Sequence, residues 1–349
     1  MAGEDNQHFV PQFYFRGFSQ DGRSICALIR RTGKTVAKAS IRKQASDIGF
    51  YGDPTVEKAL SDVEGECAGA LRELVRLQNP ELLSPEHYTL VLVWLNLQRS
   101  RTMAARRMSQ PMHDKFTRLQ LEMAIGHATD LDDAKKRELL GRLDEVEADP
   151  IPLQLIEMKI AMELSASLSD LRPLVLLNRT TRPFVFGDAP VVFYNGLCRD
   201  VKIRGVLGTQ SSGLMVFFPL TPEAALVLLD DAHYEVKRGC ANQVQVRDLR
   251  DVASLNKLQL HAASTCLYFS NPLFASYVAD LWRQEVRALK DPAGIVVQAP
   301  GFAIETGESM GEIVHSFQPQ LPYRLNLSFI RHEVLGDGDR RDMRRATYR

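Results

Sequence analysis

Hydrophobic residues between positions 53 and 168 recur every three or four residues, which is the period of a helix that buries one face. The pair Asp53-Pro54 supplies a capping residue followed by a proline suited to a first helical turn. The apolar stripe that follows consists of Leu60, Val63, Cys67, Leu71 and Leu74. This pattern predicts a helix from residue 54 to about Leu77.

The same start signal recurs at Ser84-Pro85 and predicts a second long helix that extends to about Met108. The pair Gln110-Pro111 predicts a break or kink, because proline cannot donate a helical hydrogen bond. Further helical patterns cover His113–His127, Leu131–Glu147 and Ile151–Leu168. The middle of the chain is therefore predicted to be mostly helical.

The spacing of the hydrophobic residues changes on both sides of this helical region. Ser24–Arg30 and Thr35–Ala39 indicate a β-hairpin, and helices are predicted over 246–264 and 272–290. Short apolar runs typical of strands occur at Phe184–Phe186, Val191–Tyr194, Leu214–Phe218, Ala224–Leu229 and Cys266–Phe269. Because strands and helices do not alternate, the order predicts an α+β fold rather than a parallel doubly wound sheet.

We expect one large α+β domain over residues 1–335. Its helical part covers about 53–169, and its β-rich part covers about 170–330 together with strands from 1–52. Five arginines occur from Gly336 onward, which predicts a basic, flexible tail over 336–349.

The amino-acid composition excludes several classes of protein. The 349 residues include 43 Lys+Arg and 43 Asp+Glu, a balance that argues against non-specific nucleic-acid binding. Hydrophobic residues make up 45% of the chain, which excludes a disordered protein. The five cysteines form no CxxC pair, so neither a zinc site nor a disulfide framework is indicated. No signal peptide and no apolar run of about 20 residues is present, which predicts a cytoplasmic protein with no membrane partner. Oligomeric state is not indicated.

Several polar residues lie on helix faces that should be apolar. Glu64 falls within the stripe of the first long helix, and Gln98 and Arg101 continue a row that begins with Val91 and Trp94. A buried charge costs several kcal/mol unless it is paired. Three interpretations follow: a Glu64–Arg101 salt bridge between antiparallel helices, a polar pocket built on the same pair, or a different helical phase that leaves these residues in solvent.

His8 and Asp188 are the candidate catalytic residues. His8 lies in a dense aromatic segment and titrates near neutral pH, so it is either a general acid or base or a satisfied structural histidine. Asp188 lies between two apolar runs, where it either caps a turn before Ala189-Pro190 or acts as a base or metal ligand. Asn256 is a supporting candidate whose amide could instead satisfy backbone groups.

Other catalytic motifs are weak or missing. The sequence contains no phosphate-binding loop, no dinucleotide fingerprint, no HExxH and no GxSxG. Arg107 and His113 have the spacing found in a family of helical ribonucleases, but Pro111 is expected to interrupt the helix between them. A divalent metal is compatible with the candidate residues, although no motif indicates one.

Four segments carry a resemblance to a known family: His8–Phe18, Gln98–Thr102, Gly187–Val192 and Phe217–Pro222. Together they resemble a large, mainly bacterial family catalogued as domain of unknown function 4238, over about residues 6–271. The chain differs where the family prefers Ser, at Gly187, and Asn, at Ala189. The family has no established activity, so the resemblance supports the choice of residues rather than a reaction.

Three functions are compatible with these residues. The leading hypothesis is a hydrolase that acts on a phosphodiester or nucleotide, with His8 as acid or base and Asp188 orienting it or holding a metal. Arg101 and Gln98 would bind an anionic group, and Glu64 would hold Arg101. The alternatives are a non-catalytic binding or regulatory module for a small anionic ligand, and a purely structural polar cluster.

Overall fold

The computed structural model describes residues 6–201, 204–237, 242–302, 309–332 and 345. The α-helices in these ranges are α1 (Gln12–Arg16), α2 (Pro54–Leu77), α3 (Pro85–Ser100), α4 (Met103–His127), α5 (Asp133–Leu140), α6 (Pro150–Glu163), α7 (Leu249–Ala262) and α8 (Ala275–Glu285). The helical middle of the chain thus agrees with the pattern of hydrophobic residues. None of the helices in the described ranges is long and apolar enough to cross a membrane.

The strands form one mixed sheet, one antiparallel sheet and three two-stranded pairs. They are β1 (Asn6–His8), β2 (Ser24–Ile29), β3 (Thr35–Ser40), β4 (Ser46–Ile48), β5 (Arg172–Asn178), β6 (Phe186–Gly187), β7 (Val192–Asn195), β8 (Leu214–Thr221), β9 (Ala224–Leu229), β10 (Tyr234–Val236), β11 (Gln243–Val246), β12 (Cys266–Phe269), β13 (Ile295–Phe302), β14 (Ser309–Phe317) and β15 (Ile330–His332).

The largest sheet has the strand order β11-β5-β9-β8-β7, in which only the β11–β5 pair is parallel. A four-stranded antiparallel sheet has the order β3-β2-β12-β6. The two-stranded pairs are β1–β4, β10–β15 and β13–β14. This combination of segregated helices with mixed and antiparallel sheets confirms the α+β prediction.

The five-stranded sheet is buried on both faces. Val175 and Leu177 point toward the core that contains α2 and α3, whereas Leu174 and Leu176 point toward a second core. That second core includes α7 and residues 325–330. Burial on both faces explains why strands such as β9 consist of apolar residues without alternation.

The helix boundary near residue 100 differs from the sequence prediction. The break predicted at Gln110-Pro111 is wrong, because α4 continues through Pro111. The chain instead breaks after Ser100, and the hydroxyl of Thr102 accepts a hydrogen bond from the backbone N–H of Ala105 at 3.1 Å. A threonine in this capping position starts a new helix even though the apolar pattern runs on.

The C-terminal segment is described only in part. Residues 336–344 and 346–349 of the predicted basic tail lie outside the described residues, as does Cys240. Arg345 is described, and its guanidinium donates to the carboxylate of Asp170 at 2.6 and 2.7 Å. This arginine is therefore held against the folded part of the chain.

Candidate functional site

Arg101 lies at the C-terminal end of α3 and is completely buried. Its three guanidinium nitrogens donate to three different acceptors: the Glu64 carboxylate at 2.6 Å, the Tyr51 hydroxyl at 2.9 Å and the His8 backbone carbonyl at 2.7 Å. The Glu64–Arg101 ion pair suggested by the sequence is therefore present. It joins α2 to α3 and fixes strand β1 to both.

The electrostatics of this cluster keep Arg101 charged. Burial opposes the charge, but the contacts with Tyr51 and Glu64 outweigh burial and raise the pKa of Arg101. Because the guanidinium is completely buried and each of its nitrogens donates to the protein, no part of it is open to a ligand. The arrangement is that of a structural cluster more than of an open anion site.

His8 and Gln98 belong to the same region of the molecule. The Gln98 amide nitrogen donates to the Phe9 backbone carbonyl at 2.9 Å, and both side chains are buried. Burial lowers the pKa of His8, and the nearby positive charge of Arg101 lowers it further, while backbone carbonyls of Arg42 and Ile41 oppose the shift. His8 is therefore neutral at pH 7. Its Nε2 has no hydrogen-bond partner among the described atoms.

Asp188 contacts a different part of the chain. Its carboxylate accepts hydrogen bonds from the backbone N–H groups of Ser264 at 2.6 Å and Thr265 at 2.7 Å, and from the Thr265 hydroxyl. Burial raises the pKa of Asp188, and these hydrogen bonds oppose that shift. Asp188 thus fastens the turn between α7 and β12.

Asn256 also binds backbone groups. Its carbonyl oxygen accepts from the Val185 N–H at 3.0 Å, and its amide donates to the Pro183 carbonyl and the Tyr277 hydroxyl, both at 2.9 Å. Gln259, one turn later, binds Gly187 N–H and the Pro190 carbonyl in the same way. The two side-chain amides of α7 therefore bind the segment that contains β6 and hold it against the helix.

The six candidate residues therefore fall into two groups. Glu64, Gln98, Arg101 and His8 lie around strand β1 and Phe9, whereas Asp188 and Asn256 join the segment around β6 to α7 and the turn after it. The hydrogen bonds of His8 and Asp188 have no residue in common. In the described residues, no group of three or more His, Cys, Asp or Glu side chains is placed to hold a metal ion.

A cleft of about 800 Å³ lies beside these groups and contains neither His8 nor Asp188 in its walls. Three helices contribute to it, through Asn96 and Arg99 of α3, Met108 of α4, and Glu157 and Ile160 of α6. The other walls come from residues 189–193 and from two C-terminal stretches, 290–295 and 316–322. The volume is within the range of small-molecule sites, about 300–1,000 Å³.

The Arg99 guanidinium faces this cleft without a carboxylate partner among the described residues. It donates to the Gln318 side-chain oxygen at 2.7 Å and to the Leu207 carbonyl at 3.4 Å, and it lies 4.1 Å from the ring centre of Phe193. Burial lowers the pKa of Arg99 to about 10, which leaves it charged at neutral pH. The wall of the cleft therefore carries a positive charge, and its direct contacts among the described residues are all with neutral groups.

Asn96 lies next to Arg99 on the same face of α3. It is 3% exposed, and its Nδ2 has no acceptor within the described part of the chain. A buried donor without an acceptor costs about 1–3 kcal/mol, so it usually has a partner such as water or a ligand. Arg99 and Ser100 follow Asn96 by three and four residues, so all three lie on the face of α3 that lines the cleft.

The sequence analysis selected Gln98 and Arg101 and missed Asn96 and Arg99. Successive residues of a helix point about 100° apart, so neighbouring positions in one motif face different parts of the structure. The available signal was a second polar row, Asn96-Arg99-Ser100, on the same helix. The choice between the two rows requires the position of the C-terminal wall, which local sequence does not give.

A family model matches most of the chain. Residues 6–272 match the family model described as protein of unknown function, DUF4238. The chain belongs to this family. No curated protein and no solved structure matches it. Asn96, Arg99 and Ala189 lie within the DUF4238 match, whereas the cleft residues from 290 to 322 lie beyond it.

Gly187 and Ala189, where the resemblance gives the family other residues, lie on either side of Asp188. At Gly187 a Cβ atom would lie 2.9 Å from the Cβ of Ala263, so β6 packs too closely on α7 for a larger residue. Ala189 lines the cleft. The resemblance assigns an asparagine to that position in the family, so this chain has an apolar wall where such relatives would carry an amide.

Proposed function

We propose that the cleft binds a small organic anion, whose charged group accepts hydrogen bonds from Arg99 and Asn96. The observation that carries this proposal is the pair of side chains itself. A buried amide donor without an acceptor lies next to a guanidinium without a carboxylate. A carboxylate or phosphate group would satisfy both, because it offers several oxygen acceptors and a negative charge.

The apolar lining defines the rest of the ligand. Val191, Phe193, Ile160 and Leu164 line the cleft, and the last two are 47% and 46% exposed. When a ligand covers half-exposed Ile and Leu side chains, the binding free energy becomes more favourable by about 25 cal/mol for each Å² of apolar surface removed from water. We therefore infer that the anion carries an apolar body.

Binding accounts for the geometry better than the hydrolase hypothesis does. General acid–base catalysis requires both groups to reach one reacting atom. His8 lies against Arg101 and Tyr51, whereas the Asp188 carboxylate accepts three hydrogen bonds from the α7–β12 turn. A reaction in the cleft would need other residues.

The proposal is tested by titrating the protein with 3-phenylpropanoate and with its neutral analogue 3-phenylpropan-1-ol, using isothermal titration calorimetry. We expect the carboxylate to bind at least about tenfold more tightly, which corresponds to one charge-assisted hydrogen bond. The variant Arg99→Gln should remove this preference. Arg76→Gln, which changes an exposed arginine on α2, serves as the control and should retain it. Equal binding of the two compounds, or a preference that survives in Arg99→Gln, would contradict the proposal.

A further inference from the structure

The cleft also contains a negative group, Glu157 of α6. One carboxylate oxygen accepts from the Ser109 hydroxyl at 2.8 Å, and the other is 3.0 Å from Nε2 of His113. A carboxylate has about four lone-pair positions, so Glu157 can accept additional hydrogen bonds. Its side chain is 37% exposed, which leaves these positions accessible from the cleft.

Glu157 and Arg99 both lie close to the junction between α3 and α4. The Gln154 amide of α6 donates to the carbonyls of Ser100 and Thr102, both at 3.2 Å, which fixes α6 to this junction. Glu157 follows Gln154 by three residues, about 4.5 Å along the helix axis. Arg99 directly precedes Ser100. The two opposite charges therefore face one cleft within the reach of a small molecule.

Apolar side chains line the cleft together with these two charged groups. They are Met108, Met112, Ile160, Leu164, Val191 and Phe193. Methionine side chains adapt to ligands of different shape, because they are unbranched and polarizable. The cleft thus combines a donor end, an apolar wall and an acceptor end.

The other charged groups at the cleft are exposed at its mouth or already paired. Asp291 forms an ion pair with Arg30 at 3.0 Å and is 79% exposed, and Lys290 next to it is also exposed. Exposed charges contribute little because water screens them. His261, which also lines the cleft, has its Nε2 3.0 Å from Glu285. Glu157 also contacts the His113 ring, but its two hydrogen bonds leave acceptor positions on both oxygens, so Arg99 and Glu157 are the two groups that we assign to the charges of the ligand.

We propose that the ligand is a zwitterion with an apolar body, held by Arg99 at its anionic end and by Glu157 at an ammonium end. This inference rests on the proposed function, since it adds a second charge to the same ligand. Amino acids and short apolar peptides with free termini have this chemistry. A dipeptide offers a larger separation of the two charges than a single amino acid does.

The test uses the dipeptide leucyl-phenylalanine in three forms: with free termini, N-acetylated, and C-amidated. Each modification removes one charge and leaves the apolar body intact. Calorimetric titration of the full chain should show that each modified form binds at least about tenfold more weakly than the free dipeptide.

Two variants assign the charges to residues. In Glu157→Gln the loss caused by acetylation should disappear while the loss caused by amidation remains, and Arg99→Gln should show the reverse. Glu163→Gln, at the exposed end of α6, is the matched control and should behave as the unmodified protein. If a variant does not fold, the comparison of the three dipeptides on the unmodified chain still decides the question.

The outcomes separate the two proposals. Equal binding of the acetylated and free dipeptides would overturn the zwitterion and leave the anion site intact. Equal binding of the amidated and free dipeptides would overturn the anion site as well. Failure of the free dipeptide to bind, while 3-phenylpropanoate binds, would also overturn the zwitterion.

Discussion

Arg99 and Arg101 are separated by one residue at the end of α3, yet they occupy opposite environments. Arg101 is fully buried and donates to a carboxylate, a hydroxyl and a carbonyl. Arg99 faces a cleft, where its partners are an amide oxygen and a carbonyl. Identical side chains in one motif therefore have different consequences. The first is expected to stabilise the fold, and the second is the residue that we propose binds a ligand.

The comparison extends to the amides next to these arginines. Gln98 donates to the Phe9 carbonyl on the side of Arg101, whereas Asn96 has an unpaired amide on the side of Arg99. On both faces of α3 one amide atom has no partner among the described residues, Oε1 of Gln98 and Nδ2 of Asn96. Of the two residues, Asn96 lines the cleft and Gln98 does not.

The largest expected effect is on folding stability and comes from Arg101→Met. This change leaves Glu64 without its ion-pair partner and removes one of the two donors to the His8 carbonyl, which keeps the Tyr51 hydroxyl at 3.2 Å. Removal of one partner of a buried ion pair costs about 3–5 kcal/mol. We expect a decrease of this size in the free energy of unfolding, measured by urea denaturation.

The matched change on the other face is Arg99→Met. It removes no ion pair with a described residue, so we expect a loss of less than about 1 kcal/mol, in the range of ordinary surface substitutions and single neutral hydrogen bonds. If the two variants lose the same stability, the distinction between the two faces of α3 is wrong.

An intermediate effect is expected for the two amides. Asn96→Leu removes an unsatisfied donor and should leave the free energy of unfolding unchanged or raise it by about 1 kcal/mol. Gln98→Leu leaves the Phe9 carbonyl unpaired and should lower it by about 1–3 kcal/mol. Thermal and urea denaturation of the pair measures the difference. Strong destabilisation by Asn96→Leu would indicate that the amide has a structural partner.

The smallest effect concerns the pH dependence contributed by His8. Burial places its folded-state pKa below the unfolded value of about 6.5, so folding favours the neutral ring. The contribution of the neutral His8 ring to the free energy of unfolding is complete above the pKa of His8 in the unfolded state. It is lost as the pH falls toward the pKa of His8 in the folded state. The melting temperature should therefore decrease from about pH 7.5 to about pH 5, and His8→Gln should reduce that decrease.

His127→Gln is the control for this measurement, because His127 is exposed on α4. It should leave the pH dependence unchanged. An unaltered pH dependence in His8→Gln would mean that the imidazole of His8 has the same affinity for protons in both states.

Much of the fold could be predicted because local signals were strong. The cap at Asp53-Pro54 gave the start of α2, and β9 and β12 match the predicted apolar runs. Strand β5 was missed, although it lies between β11 and β9 in the large sheet. Its residues are buried from both sides, so they show no alternation that separates a strand from a buried helix.

The candidate site was predictable only where a local rule applied. The Glu64–Arg101 contact follows from the requirement that buried charges have partners. The cleft depends on residues 290–295 and 316–322, which follow Arg99 by about 190 to 220 positions. No periodicity within α3 indicates which of its polar rows that distant segment approaches.

The C-terminal wall of the cleft packs against α3 and α4. Gly294 packs so closely on α4 that a Cβ atom would lie 2.0 Å from the carbonyl oxygen of Met108, and Gln318 contacts Arg99 directly. Residues 290–295 and 316–322 follow the region that matches the family model, and they contribute to the cleft without forming the strands of the central sheet. A substitution in this wall would therefore change the lining of the cleft while the central sheet keeps its strands.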